Sequence, residues 1–119
     1  MNFWGYHLIL DCKSCEIKKI INKKAILKFC KELVREIEMK AYGKPLAVHF
    51  AGHNPNVGGF SLVQLIETSA ITGHFVDANG DVYLDIFSCK RFEIKKVIYM
   101  VEKHFKPKTI REIFIIRQA

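Results

Sequence analysis

The sequence predicts an α+β domain, a two-layer sandwich in which an antiparallel sheet carries two helices on one face. Three observations lead there. Short runs rich in branched and aromatic residues recur along the chain, as strands require. Two longer segments place apolar residues at three- and four-residue spacing, the signature of amphipathic helices. The order is β, α, several β, α, β, which closes most simply as one sheet with the helices packed against it. With 119 residues, 50% of them hydrophobic and 26% charged, the chain is read as a single domain, 1–119, with one core.

Residues 3 to 11, FWGYHLILD, read as the first strand. From Asn22, an N-cap residue by type, to about Lys40, the positions Ile26, Phe29, Cys30, Leu33 and Ile37 line one side of a helix. Residues 41 to 45 are expected to break it, with Gly43 as a helix stop and Pro45 beyond. LAVHFA, 46 to 51, is the second strand, and GHNPNVGG is a loop because Gly, Asn and Pro together favour turns. Residues 60 to 67, 70 to 76 and 82 to 88 are strand-like, and the DANGD between the last two contains the Asn-Gly pair of a tight hairpin. Ile94, Val97, Ile98, Val101 and Phe105 mark a second helix over about 92 to 105, which Pro107 ends, and TIREIFIIRQ is the last strand. One sheet face would stay partly apolar, so a homodimer burying sheet against sheet or edge against edge is expected.

Composition narrows the function classes. No apolar run approaches the roughly 20 residues that cross a bilayer, and MNFWGYHLILDC has no charged segment ahead of its apolar stretch. A cytoplasmic protein with no membrane partner is expected. The net charge of +7 raises the question of nucleic acid. The KK pairs at 18–19, 23–24 and 95–96 are interleaved with Glu32, Glu36, Glu38, Glu93 and Glu102, the pattern of solvated helix faces, and no stacking platform accompanies them. No nucleic-acid partner is expected. Cys12 and Cys15 form a lone C-x-x-C with no second ligand pair, so no metal is expected either.

The stretch ETSAITGHF, 67 to 75, places hydroxyls and a histidine where branched apolar residues would pack well. Ser69 and His74 stand at its two ends, and a hairpin at 77 to 81 would return Cys89 alongside Ser69. A hydroxyl, an imidazole and a thiol could then share one pocket. The structural alternative is that Thr68 and Ser69 mark a bulge, His74 is a half-buried histidine and Cys89 packs as a small hydrophobe.

The order of these residues resembles the prokaryotic S-adenosylmethionine decarboxylases, a family that makes a pyruvoyl cofactor from an internal serine. The likeness runs through G-Y-H-L-I-L-D with Cys15 downstream, H-x-F-like residues His49 and Phe50, the Val57-Gly58-Gly59 loop, E-T-S, His74 and D-I-F-S-C. In the family a histidine follows the processing serine by five residues and a cysteine by twenty. Ser69, His74 and Cys89 keep both intervals. Two departures stand out: Thr68 separates Glu67 from Ser69, where the family has Glu directly before its serine, and Phe75, Val76, Asp77 and Ala78 follow His74 in place of a Thr-aromatic-Pro-Glu run.

The resemblance implies cleavage between Thr68 and Ser69, giving chains 1 to 68 and 69 to 119, with a pyruvoyl group at residue 69. Such a ketone holds the substrate amine as a Schiff base and accepts electrons as carbon dioxide leaves. It further implies that His74 assists processing, that Cys89 reprotonates the substrate carbon, and that His7, Phe50, Glu67 and Phe75 are candidate substrate contacts. The expected small-molecule substrate is S-adenosylmethionine, on the route to spermidine and other polyamines. Two alternatives remain open: a pyruvoyl-dependent arginine or ornithine decarboxylase, and a homologue that does not process and serves as a binding or regulatory subunit.

Overall fold

The computed structural model describes residues 3–119; the first two residues of the expected 1–119 domain lie outside the described residues. The chain runs β1 (Gly5–Lys13), α1 (Ile17–Ile20), α2 (Lys23–Glu36), β2 (Ala41–Phe50), β3 (Gly59–Ile66), β4 (Ser69–Val76), β5 (Val82–Ser88), α3 (Ile94–Phe105) and β6 (Thr109–Arg117). All six strands form one sheet in the order β2-β3-β4-β5-β1-β6, and every neighbouring pair is antiparallel.

Alternation along the strands decides which residues meet the helices. Leu8, Leu10 and Cys12 of β1, Ile71 and Phe75 of β4, and Val82, Leu84 and Ile86 of β5 are buried against Ile26, Phe29 and Leu33 of α2 and Val97, Val101 and Phe105 of α3. The Phe29 and Phe105 rings lie 4.6 Å apart, and Phe75 meets Phe105 edge-on at 5.5 Å. Full burial of a side chain such as Phe29 contributes roughly 1.5–3 kcal/mol, so this layer dominates stability. The opposite face keeps Leu46, Val48, Val63, Leu65, Tyr83 and Ile115 exposed.

The expected fold class is met, with three local differences. A third helix, α1, is a single turn of four residues that buries Ile20; it is too short to show a period in the sequence. Helix α2 ends at Glu36, not Lys40: Ile37 caps it with its N–H on Leu33, and Glu38 turns left-handed at φ 57°. Residues 41–45, expected to break the chain, belong to β2. That strand lies at the sheet edge, where Pro45 can be accommodated without a full ladder, and its register shifts between Tyr42 and Leu46. The buried Gln64 side-chain amide shares its two N–H groups among the carbonyls of Tyr42, Gly43 and Leu65, tying β3 to the irregular stretch of β2. The hairpin at 77–81 forms as the Asn-Gly pair suggests, with Gly80 left-handed at φ 78°; a Cβ there would stand 2.4 Å from the Cys15 carbonyl oxygen.

Candidate active site

The β3–β4 connection is only two residues long, Glu67 and Thr68. It folds tightly because Thr68 is left-handed, φ 58°. A β-branched residue rarely adopts that region, and doing so costs on the order of 1–3 kcal/mol. Strain is therefore stored beside the Thr68–Ser69 bond. Glu67 is exposed, its N–H bonded to the Lys40 carbonyl and its carboxylate 3.5 Å from Lys40 Nζ, which pins the turn to the start of β2.

Ser69 opens β4 opposite Ser88, the last residue of β5. Ser69 Oγ donates to Ser88 Oγ at 3.0 Å, and Ser88 is fully buried. Cys89 follows directly, half-buried, with Sγ 2.7 Å from Thr68 Oγ1. Thr68 has one hydroxyl proton, which it gives to the Glu67 carbonyl at 2.6 Å. The Cys89 thiol is then the donor toward Thr68, with its proton aimed at the turn.

His74 does not join this group within the chain. Five residues separate it from Ser69 along β4, roughly 16 Å of strand, and an odd separation puts the two side chains on opposite faces. Ser69 shares the helix side with buried Ile71 and Phe75, whereas His74 is exposed on the open face. There Nδ1 is hydrogen-bonded to Ser61 Oγ at 2.9 Å, directly across the β3–β4 ladder. Ser61 escaped the sequence reading; its only signal is that it pairs with His74 once the hairpin register is known.

The four expected substrate contacts fall in different places. Phe75 is only 1% exposed and belongs to the core, out of reach of a ligand on the open face. It faces inward because it sits an even number of residues from Ile71. Phe50 is 56% exposed at the end of β2, in the corner of the open face that holds Ser61 and His74. Glu67 is held at the turn, as described. His7 lies on the open face beside the Cys89 end of the sheet, where Asp85 Oδ1 is 2.9 Å from Nε2 and Arg117 Nη1 is 3.4 Å from Nδ1. A guanidinium can only donate, so Nδ1 accepts and the Nε2–H is given to Asp85. Phe87 lies next to it, stacked on Trp4 at 5.7 Å and covered by Arg117 at 5.1 Å. A groove of ≈ 420 Å³ is lined by Trp4, Phe87, Arg117, Gln118 and Ala119. The open face therefore has an aromatic and basic end near Thr68 and Cys89, and a second end with His74, Ser61 and Phe50.

The other thiols are different in kind. Burial pushes Cys12, Cys15 and Cys30 up to about 12, reinforced at Cys12 by Cys15 and Asp11 and at Cys15 by Asp81. All three are protonated structural residues at neutral pH. No helix of the described residues is long and apolar enough to cross a membrane.

Residues 6–118 match the family model described as S-adenosylmethionine decarboxylase. The chain is 30% identical over 116 residues to the S-adenosylmethionine decarboxylase proenzyme of Clostridium botulinum strain Langeland, covering 95% of each chain, and 28% identical to that of strain Loch Maree over the same share. Its fold superposes on the crystal structure of the adenosylmethionine decarboxylase from Aquifex aeolicus with a TM-score of 0.82, at 16% identity, covering 100% of this chain and 94% of that one.

Proposed function

The chain belongs to the S-adenosylmethionine decarboxylase family, and on that premise we propose that it is a self-processing decarboxylase of S-adenosylmethionine whose cofactor is a pyruvoyl group made from Ser69. The observation that carries this reading is the strained two-residue turn, which presents the Thr68–Ser69 bond with a serine hydroxyl on one side and the Cys89 thiol on the other.

Processing follows from those residues. Ser69 Oγ adds to the Thr68 carbonyl carbon; the C–O bond forms, the C–N bond breaks, and the hydroxyl proton ends on the freed nitrogen. Relief of the left-handed Thr68 favours this step. Removal of the residue 69 Cα proton then breaks its Cβ–O bond, releasing chain 1 to 68 with a terminal carboxylate. Addition of water and loss of ammonia leave a ketone at the head of chain 69 to 119. That ketone supplies an electron sink for the bond to the departing carboxylate. Cys89, already a donor toward residue 68, delivers a proton to the substrate carbon. The Trp4 and Phe87 pair, with His7 fixed by Asp85 and Arg117, offers the substrate a flat apolar surface beside that thiol.

His74 needs a second copy of the chain to reach this centre. The open face is apolar enough to be covered, and its two ends carry complementary halves of the machinery. Two copies packed open face to open face, related by a twofold axis, can lay the His74 end of one over the Thr68 and Cys89 end of the other. In that homodimer Ser61 orients His74, and the imidazole serves the bond that a partner cleaves.

The substrate is tested with carboxyl-labelled S-adenosylmethionine, arginine and ornithine supplied separately. Labelled carbon dioxide is expected from S-adenosylmethionine alone; release from arginine or ornithine alone would replace the substrate while keeping the cofactor.

A further inference from the structure

Ser88 is a polar residue that ends β5 facing the core, at 0% exposure, where its neighbours two and four residues back are Ile86 and Leu84. A buried hydroxyl is costly unless its bonds are satisfied. Here they are satisfied in one direction only. Ser88 Oγ donates to the Lys90 carbonyl at 2.8 Å, accepts the Lys90 N–H at 2.9 Å, and accepts the Ser69 hydroxyl at 3.0 Å. The single proton of Ser88 has two acceptors away from Ser69, the Lys90 carbonyl at 2.8 Å and the Met39 Sδ at 3.7 Å, and the nearer and stronger is the carbonyl; toward Ser69 this oxygen accepts. The chain Ser69 O–H to Ser88 O–H to Lys90 C=O is thus polarised in one sense, and each bond strengthens the next.

We propose that Ser88 is a positioning residue for self-cleavage, holding the Ser69 hydroxyl in one rotamer and drawing on its proton so that the oxygen is oriented and electron-rich when it meets the Thr68 carbonyl. The inference rests on the pyruvoyl reading above. Without Ser88, a serine at the mouth of a hairpin is free to rotate toward water, and the reactive geometry is occupied for a small fraction of the time. The residue does not touch substrate; it acts through Ser69. Its placement follows from register, because Ser69 and Ser88 are paired across the β4–β5 ladder and both face the helices. Backbone pairing, not a flexible loop, therefore sets the distance between them.

The test uses the full chain freshly produced as precursor and follows the fraction cleaved with time by intact mass, a readout that does not depend on turnover. Ser88→Ala is expected to slow cleavage roughly tenfold or more, the scale of one lost buried hydrogen bond acting on a rate. Ser88→Thr, which keeps the hydroxyl, is expected to restore it to within about threefold of the parent. Thermal midpoints of the same variants in a Ser69→Ala background separate positioning from packing, since a folded precursor that has only lost stability still cleaves at the parental rate. Should Ser88→Ala fail to fold, Ser88→Cys, nearly isosteric and a weak acceptor, takes its place with the same expected slowing. Parental cleavage by the Ala or Cys variant overturns the inference, as does equal slowing by Ala and Thr. A parent chain that never cleaves defeats the pyruvoyl reading itself, and so is a distinguishable outcome.

Discussion

The four cysteines of this chain fall into two kinds, and burial separates them. Cys12, Cys15 and Cys30 are enclosed in the core, where desolvation holds the thiols protonated far above neutral pH. Cys89 is half-buried and meets Thr68 at the β3–β4 turn. Alkylation of the folded Ser69→Ala precursor by iodoacetamide near neutral pH is therefore expected to add one label, at Cys89, with the other three following only in denaturant; labelling of Cys12 or Cys15 first would contradict the burial argument. The same scale explains which site residues could be read in advance. Ser69, His74 and Cys89 are recognisable by type and interval. Ser61 and Ser88 are not, because a serine becomes informative only when the register places it opposite another reactive group. Phe75 shows the converse: an aromatic next to His74 looks available for stacking, yet one step along a strand reverses the face.

The helices illustrate how a charged residue can join two elements. Glu32 of α2 lies 3.1 Å from His104 Nε2 and 3.7 Å from Lys103 Nζ of α3, and 3.9 Å from Lys28 Nζ one turn earlier. Partial burial acts to raise its carboxyl, but the hydrogen bond from His104 and the charges of His104, Lys103 and Lys28 outweigh it and hold Glu32 below the ordinary carboxylate range. A group depressed on folding adds stability above its unfolded value and loses it as pH falls through the folded one. Glu32→Gln should accordingly lower the thermal midpoint near neutral pH, with the gap to the parent closing in acid below the ordinary carboxylate range; a gap that persists unchanged there would mean that packing, not charge, is responsible. At this scale the long elements were legible because α2 and α3 repeat their apolar residues over several turns and the strands are bounded by turn residues. Helix α1 is too short to carry a period, and in the edge strand β2 tertiary contacts override local preference. Pro45 and Gly43 look like a break, but Gln64 reaches from β3 to tie down the irregular edge strand they occupy.

For the whole molecule, the sheet divides the candidate site between its ends. One end holds the Thr68–Ser69 bond and Cys89, and the other end of the open face holds His74 with Ser61. If two chains complete each other's sites, Leu65→Asp on the open face should convert the protein from dimer to monomer in sedimentation and slow cleavage together. Mixing a Ser69→Ala chain with a His74→Ala chain should restore cleavage to the latter, since its intact Ser69 would meet an intact partner histidine; no restoration in a mixture shown to contain the mixed dimer would place His74 outside the processing step. Beneath these tests stands the central claim, that the backbone at residue 69 remakes itself into the cofactor. Intact mass of the purified protein addresses it most directly. Two species are expected, residues 1 to 68 ending in a free carboxylate and residues 69 to 119 headed by a pyruvoyl group in place of serine, whereas a single species at the full-chain mass after prolonged incubation would rule the conversion out.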